Sequence, residues 1–394
     1  PKNKKVIDPE AILLWFPKPN SFTGDDLAEL HVHGSNAVIS YILKVLSDMK
    51  NCRLADPGEF TKIAFQNDKI DLVKAESIGD LIHAETELQR EQAVSLVQGH
   101  ASKYYENLRE KLVKSLSYIE AQIDFAEDDL PKNVLKEVQV SIKQVHNDIK
   151  RILEDQKIGE KIRDGFRISI IGDVNAGKSS LLNLLSRRKA AIVSEQEGTT
   201  RDVIETYLNI DGYPIILADT AGIRKVKNKV EKEGIKRAIK KAKGADITLV
   251  MFDVSKKSIN NNLKKLINED CILVFNKSDL KKKPPKTEFK KNDKILISVK
   301  DNKNIGNLIK LIKDKLSSKF IKSNNILVTR ERHRVKLNAA LKEIEKFLKK
   351  NQKKEIETAA EDLRLATRHL GSIVGKVDVE EILGSIFQDF CIGK

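Results

Sequence analysis

A glycine-rich segment that directly follows a short apolar run constrains the fold more than any other feature of the sequence. The run is Ile168 to Ile171, and the residues from Gly172 to Ser179 read GDVNAGKS, which fits G-x-x-x-x-G-K-S. Glycines at these positions let backbone amides curl around phosphates, Lys178 offsets phosphate charge, and the serine hydroxyl can ligate magnesium. A strand, a phosphate loop and a helix in this order predict an α/β domain that binds a nucleotide.

Three later motifs follow strand-like runs and indicate that the nucleotide is GTP. Asp219 to Gly222 (DTAG) puts a carboxylate near the metal and an amide near the γ-phosphate. Asn276 to Asp279 (NKSD) supplies a carboxylate that can accept from N1–H and the exocyclic amine of guanine, a donor pair that adenine lacks. Ser298 to Lys300 (SVK) completes the base pocket, although alanine is the more usual middle residue. The residues predicted to bind GTP are Asn175, Ala176, Gly177, Lys178, Ser179, Ser180, Asp219, Thr220, Ala221, Gly222, Asn276, Lys277, Ser278, Asp279, Ser298, Val299 and Lys300.

The segment from Gly198 to Asp202 (GTTRD) predicts a switch loop, in which one threonine reaches magnesium and the γ-phosphate. Many small GTPases carry glutamine directly after D-x-x-G to orient the attacking water, whereas this chain has Ile223. Another group must therefore position the water, and Glu231 and Glu233 are the candidates in the segment that follows. Motif logic does not separate these two residues, and a solvated helix face would explain both.

Apolar periodicity predicts four parts of the chain. Residues 1–68 mix short apolar runs with Pro and Gly turns, which is typical of a small, partial α/β domain. Residues 69–164 and 318–394 carry apolar residues at steps of three and four, as in the helices of a bundle. Residues 165–317 alternate strand-like runs with longer amphipathic stretches, which predicts a mostly parallel sheet. The expected architecture is multidomain α/β plus all-α, with a P-loop GTPase domain inserted into a helical domain.

Charge and cysteine content bear on the partners and the cellular compartment of the protein. The net charge of +15 favours a polyanionic partner such as RNA, but lysines scattered over solvated faces explain it equally well. The three cysteines have no paired spacing, which argues against a disulfide framework or a zinc site and suits the cytoplasm. No apolar run reaches the roughly 18 residues needed to span a bilayer, so we expect no membrane partner.

Several segments together resemble the MnmE (TrmE) family of tRNA-modification GTPases. They are WFPKPNSFTG from Trp15, PGEF from Pro57, NDKIDL from Asn67, NAGKSS from Asn175, GTTRD from Gly198 and the terminal FCIGK from Phe390. The resemblance runs from the first residues to the last. Because the family's N-terminal domain begins several dozen residues before Pro1, the resemblance implies an N-terminally truncated fragment.

The resemblance implies a GTP hydrolase in which potassium replaces the arginine finger of other GTPases. It assigns catalysis to Glu231 and magnesium ligation to Ser179 and Thr200. The implied potassium ligands are Asn175, Ser194, Gln196 and Thr199. The same resemblance extends the GTP-binding set by a loop of seven residues, Ser194, Glu195, Gln196, Glu197, Gly198, Thr199 and Thr200.

The resemblance also implies partners and a one-carbon donor. Paired N-terminal domains would form a homodimer and bind 5-formyltetrahydrofolate, or a related one-carbon folate, through Glu29, Lys69 and Lys394. A heterotetramer with the flavoprotein MnmG (GidA), which uses FAD and NADH, would add a carboxymethylaminomethyl group to carbon 5 of the wobble uridine of certain tRNAs.

Two other classes of GTPase share the nucleotide motifs. An RNA-binding GTPase for ribosome assembly would need an RNA-binding module after the G domain, such as a G-x-x-G loop between strands, and the stretch from Arg330 to Leu370 has none. A membrane-remodelling GTPase of the dynamin kind would need an apolar or aromatic-rich membrane segment, which the sequence lacks.

Overall fold

The computed structural model describes residues 6–124, 134–155, 157–187, 205–218, 244–256, 261–281, 283, 288–320, 326–351 and 354–377. The chain divides into two compact units, of which the first comprises residues 1–82, 93–153 and 332–394, and the second residues 83–92 and 154–331. Because most of the second unit lies in sequence between segments of the first, the predicted insertion of an α/β domain into a helical one is confirmed. The finer division into four parts stays a prediction.

The first unit begins with a small α/β portion. Strands β1 (Ile12–Phe16) and β2 (Leu27–His31) form an antiparallel pair in which Ile12 lies opposite His31. Helix α1 (Asn36–Ser47) begins where the hydroxyl of Ser35 accepts from the amide of Val38, and helix α2 (Glu59–Gln66) follows. Residues of α1 are half-buried or exposed, so this portion gains little from core packing.

Amphipathic helices make up the rest of the first unit. They are α3 (Leu72–Ile82), the C-terminal part of α4 (Glu87–Val97), α5 (His100–Asp124), α6 (Val134–Leu153), α11 (Glu331–Lys349) and α12 (Ile356–Val374). The predicted apolar stripe of α6 is buried at every position from Val138 to Ile152 in steps of three and four. Burial of such a stripe is the main source of stability for a helix in water. None of the helices in the described parts of the chain is long and apolar enough to cross a membrane.

A cluster of charged side chains lies inside this helical packing. The carboxylate of Glu76 in α3 is only 2% exposed and accepts two hydrogen bonds from the guanidinium of Arg332, at 2.5 and 2.7 Å. Its Oε2 atom also lies 3.0 Å from Nε2 of His333. Arg332 donates further to the carbonyls of Ser372 and Ile373 in α12. We call Glu76, Arg332 and His333 the helical charge cluster.

Opposing effects act on the ionisation of Glu76. Burial alone would raise the pKa of its carboxyl group, but the charges of His333 and Arg332 and their hydrogen bonds outweigh burial. The pKa of Glu76 therefore lies well below its usual range, and the carboxylate stays charged inside the packed helices.

The second unit is built on a six-stranded sheet. Its strands are β3 (Phe166–Gly172), β4 (Glu205–Ile210), β5 (Tyr213–Ala218), β6 (Ile247–Asp253), β7 (Cys271–Asn276) and β8 (Asp293–Leu296), in the order β4-β5-β3-β6-β7-β8. All pairs are parallel except β4 with β5, which agrees with the predicted mostly parallel sheet. Strands β4 and β5 lie on one side of β3, whereas β6, the next strand in sequence, lies on the other side. The crevice at the carboxyl ends of the strands where the strand order reverses in this way is the usual ligand site of an open α/β sheet.

Side chains on the two faces of this sheet enter separate apolar cores. Leu249 and Met251 of β6 pack in one core, while Val250 and Phe252 pack in the other, as expected when successive residues of a strand point to opposite faces. Helices α7 (Ile158–Asp164), α8 (Lys178–Arg187) and α10 (Ile305–Phe320) contribute to the first core, and the short α9 (Asn261–Lys264) to the second. Coverage on both faces explains why every residue of β6 and β7 is buried.

The chain segments that enter and leave the second unit lie side by side. A Cβ atom on Gly159 would come within 2.0 Å of the carbonyl oxygen of Val328, so only glycine permits this contact. Nearby, the ammonium of Lys157 lies 3.2 Å from the carboxylate of Glu331.

Candidate nucleotide-binding site

The predicted phosphate loop connects the end of β3 to the start of α8, at the carboxyl edge of the sheet. Gly172 and Gly177 adopt φ angles of 155° and 98°. A Cβ atom on Gly172 would lie 2.3 Å from the carbonyl oxygen of Met251, and one on Gly177 would lie 2.3 Å from Nδ2 of Asn276. Both glycines are therefore required for the loop to pack against the neighbouring strands β6 and β7.

Lys178 opens helix α8 with its side chain folded over the loop. Its ammonium donates to the carbonyl oxygens of Gly172 at 2.9 Å and Asp173 at 2.7 Å. Burial lowers the pKa of this amine, and the nearby ammonium of Lys256 lowers it further, while Asp173 opposes the change. The charge is thus held at the loop that would receive the phosphates.

Exposed polar groups flank the lysine. Asn175, at φ 61°, is exposed at the tip of the loop, whereas Ala176 is buried. Ser179 and Ser180 are exposed in the first turn of α8. Within the described residues no group of three or more His, Cys, Asp or Glu could hold a metal ion. The donors present fit a magnesium ion held by one hydroxyl and the phosphates of its nucleotide, which is how Mg²⁺ usually binds beside substrate phosphates.

Asn276 connects three of the predicted motifs. Its side chain is buried, and Nδ2 donates to the carbonyl of Ala176 at 2.8 Å. Its Oδ1 accepts from the amide of Val299 at 3.1 Å. Because residue 299 makes this contact through its backbone amide, the hydrogen bond does not depend on whether the residue is valine or alanine. The phosphate loop, NKSD and SVK are therefore brought together by one amide side chain.

The carboxylate of Asp279 is positioned by the SVK segment. The hydroxyl of Ser298 donates to Oδ1 of Asp279 at 2.9 Å and accepts from the amide of Asp301 at 3.2 Å. The amide of Ser278 donates to the carbonyl of Ile297 at 3.0 Å. Asp279 itself is exposed, as is Lys300. This arrangement presents a fixed carboxylate to solvent, which suits recognition of the paired donors of guanine.

Sequence reasoning missed a turn that follows β6 and contacts two of these motifs. Oδ2 of Asp253 accepts from the ammonium of Lys277 at 2.6 Å, and Oδ1 accepts from the hydroxyl of Ser255 at 2.6 Å. Burial would raise the pKa of Asp253, but these hydrogen bonds lower it to about 2. Lys256, in the same turn, lies 3.6 Å from Asp173 of the phosphate loop. The only trace of this turn in the sequence is an acidic residue at the end of an apolar run.

The remaining predicted contacts lie outside the described residues. They are Ser194, Glu195, Gln196, Glu197, Gly198, Thr199, Thr200, Asp219, Thr220, Ala221, Gly222, the catalytic candidate Glu231 and the folate candidate Lys394. Their assignments stay predictions.

The two described folate candidates have separate partners in the first unit. Glu29 is exposed on β2 and lies 3.1 Å from His31. The ammonium of Lys69 donates to the carbonyl of Pro19, and Asn67 donates to the carbonyl of Thr23 at 2.9 Å. Two segments that carry the family resemblance, from Trp15 and from Asn67, are thus in contact.

The chain is similar to known proteins along nearly its whole length. The description "GTP-binding protein TrmE N-terminus" matches residues 1–69, and "MnmE helical domain" matches residues 72–391. The chain is 58% identical over 390 residues to the tRNA modification GTPase MnmE of Pelagibacter ubique, covering 99% of this chain and 88% of that protein. It is 44% identical over 400 residues to MnmE of Rickettsia akari, covering 100% and 88%.

A solved structure of another protein is less similar to the chain than these relatives are. A variant of Aquifex aeolicus Era bound to GDP.AlF4- is 26% identical, covers 45% of this chain and 66% of its own, and has a TM-score of 0.29. The match to a helical domain also occupies the region where a ribosome-assembly GTPase would carry its RNA-binding module. The two family models and the high identity to these relatives agree with the phosphate loop and with the carboxylate of Asp279. The chain therefore belongs to the MnmE family of tRNA modification GTPases, which are GTP hydrolases.

Proposed function

We propose that this GTPase is stimulated by potassium and acts with a flavoprotein partner, MnmG, on the wobble uridine of certain tRNAs. The observation that carries the proposal is the joined set of phosphate loop, NKSD and SVK at one sheet edge, linked through Asn276. Such a site binds and orients GTP, and the resemblance to MnmE supplies the rest. The product would carry a carboxymethylaminomethyl group at carbon 5.

Nucleotide binding is the step that the described residues would perform. Lys178 would leave the carbonyls of Gly172 and Asp173 and pair with the β- and γ-phosphates. Asp279 would accept both guanine donors, while Ser298 keeps its carboxylate oriented. Ser179 would offer its hydroxyl to magnesium, which neutralises phosphate charge when bound.

Hydrolysis would depend on residues outside those described. In the proposal Glu231 positions the attacking water, because Ile223 stands where many GTPases have glutamine. Asn175 and the loop residues Ser194, Gln196 and Thr199 would bind potassium, and a cation there offsets transition-state charge as an arginine would.

The proposal also includes the wider assembly. The chain would form a homodimer, join MnmG with its FAD and NADH in a heterotetramer, and bind a formyl-tetrahydrofolate through Glu29, Lys69 and Lys394. GTP hydrolysis would then drive the approach and separation of G domains, and the cytoplasm would be its compartment.

GTP turnover in potassium against sodium, with and without MnmG, tests this function. We expect turnover at least about tenfold faster in potassium, which corresponds to roughly 1.4 kcal/mol in the barrier. Adding MnmG should change the rate further. Equal rates in both salts would reject the potassium-dependent mechanism while leaving the GTP site intact.

A further inference from the structure

We propose that Asp253 is a positioning residue of the nucleotide site and that it acts through Lys277. Asp253 ends β6 directly beside Asn276 of β7 in the sheet register, so it lies at the same edge as the NKSD motif. None of the motifs used to recognise the site includes it. Its side chain nevertheless contacts the lysine of NKSD at 2.6 Å.

Both carboxylate oxygens of Asp253 have partners, which fixes its orientation. Oδ1 accepts from the amide of Ser255 at 3.0 Å and from its hydroxyl at 2.6 Å, which leaves Oδ2 for the ammonium of Lys277. The side chain of Asp253 is only 8% exposed, so solvent screens this pair weakly. A buried carboxylate held at both oxygens is a firm anchor for a cation.

Lys277 is the residue that benefits from this anchor. Its backbone has φ 69°, in the left-handed region that non-glycine residues rarely adopt, and its side chain is 31% exposed. It stands two positions before Asp279, whose carboxylate would meet the base. With the ammonium held by Asp253, the methylene stem of the lysine offers an ordered apolar surface beside the position of the base.

The ion pair orders the side chain of Lys277 before the nucleotide binds. A lysine side chain without a partner samples many rotamers, and a ligand that packs on it must restrict them. The pair with Asp253 restricts them in advance, so the nucleotide loses less binding free energy to ordering. Removing the carboxylate would therefore weaken nucleotide binding and leave the hydrolytic step alone.

The same turn reaches the phosphate side of the site. The amide of Lys256 donates to the carbonyl of Asp253 at 3.1 Å, and its ammonium lies 3.6 Å from the carboxylate of Asp173. This second ion pair is half-exposed and therefore weak, so the proposal rests on Asp253.

The decisive experiment is a double-mutant cycle on the whole chain, with Asp253→Asn, Lys277→Met and both together. Dissociation of fluorescently labelled GDP and steady-state GTP hydrolysis are measured for each. We expect Asp253→Asn to speed dissociation and raise KM by about tenfold, the scale of one lost charge-assisted hydrogen bond, with kcat within about twofold of wild type. In the Lys277→Met background, Asp253→Asn should add almost nothing.

Two further variants make the outcome specific. Asp253→Glu keeps a carboxylate but displaces it by one methylene, so it should speed GDP dissociation less than Asp253→Asn does. If Asp253→Asn does not fold, Asp253→Glu takes its place in the cycle, and its effect should disappear in the Lys277→Met background. Asp211→Asn is the matched control, because Asp211 pairs with Lys313 at 2.5 Å before the amino end of β5, away from the NKSD motif. It should leave GDP dissociation unchanged.

Additive effects of Asp253→Asn and Lys277→Met, or a loss confined to kcat, would overturn the proposal. The inference uses the GTP site but not the potassium or tRNA steps. Wild-type GDP binding therefore separates its failure from a failure of the proposed function.

Discussion

Two regions of this molecule hold charged side chains in place by hydrogen bonds, and they do so for different purposes. In the helical charge cluster, Glu76 is 2% exposed and its carboxylate accepts from Arg332, which also donates to the carbonyls of Ser372 and Ile373. At the nucleotide edge, Asp279 and Lys178 also have partners, but Asp279 faces solvent and, among the described residues, Lys178 donates to loop carbonyls.

The difference shows how hydrogen-bonded charged side chains can stabilise a fold in one place and bind a ligand in another. A cluster whose partners come from α3, α11 and α12 ties distant segments together, and removing one member takes away hydrogen bonds that offset the burial of the remaining charges. A site whose charges rest on backbone carbonyls or on one serine can exchange those partners for a ligand. We therefore expect substitutions in the first region to act on folding and those in the second to act on nucleotide binding.

The largest effect should come from Glu76→Ala. This change leaves Arg332 and His333 charged or polar inside the helices, and we expect the free energy of unfolding to fall by about 3–5 kcal/mol. Urea unfolding followed by circular dichroism measures it. Glu361→Ala is the control, because Glu361 is exposed and its pair with Arg364 lies on the surface. Similar losses for the two variants would break the comparison.

Gly177→Ala should act next, and on binding rather than on folding. The added methyl group meets Nδ2 of Asn276 at 2.3 Å in a left-handed backbone conformation, so the loop must shift. We expect GTP affinity to fall about 100-fold, roughly 2.8 kcal/mol, as measured by titration of a fluorescent analogue. Gly306→Ala, where a Cβ atom has open space, should bind GTP normally.

Glu231→Ala would separate catalysis from binding within the nucleotide region. We expect GTP affinity to stay and hydrolysis to fall by at least about tenfold, on the order of 1.4 kcal/mol in the barrier. Single-turnover hydrolysis measures this. Glu233→Ala is the matched control, and an equal loss in that variant would remove the assignment to Glu231.

The smallest expected effect is on the free energy of unfolding at low pH. The pKa of Asp253 is lowered from 3.8 to about 2, so its charged form is favoured in the folded chain. Its contribution to stability is present above the unfolded value and is lost as pH falls through the folded value. The difference in free energy of unfolding between wild type and Asp253→Asn should therefore shrink as the pH falls from 3.8 to about 2. Unfolding measured at a series of acid pH values tests this. A constant gap would show that the ion pair adds nothing.

Local patterns predicted most of the strands, and long-range contacts explain what they did not predict. The run from Ile168 to Ile171 and the glycines after it lie next to one another in sequence, so the phosphate loop could be predicted. Strand β4 was not predicted, because ETYLNI has only a short alternation and depends on pairing with β5. Edge strands of this kind take their structure from their neighbours.

Side-chain partners were harder to predict than backbone elements. Glu76 and Arg332 stand far apart in the chain, and nothing in either local sequence indicates that they meet. Likewise, Asn276 was assigned to the base motif, yet its amide contacts Ala176 and Val299. Such pairings are decided by how helices and strands pack, which periodicity alone does not specify.

The contact between Gly159 and Val328 bears on how the chain is assembled. The two ends of residues 154–331 meet there, within the α/β unit itself. Folding of this unit therefore supplies the free energy that offsets the entropy lost when the two ends are brought together. For the helical segments on either side, the long insertion then acts as a short connection between two neighbouring points. A gene in which residues 154–331 are replaced by a few flexible residues should still encode a foldable bundle.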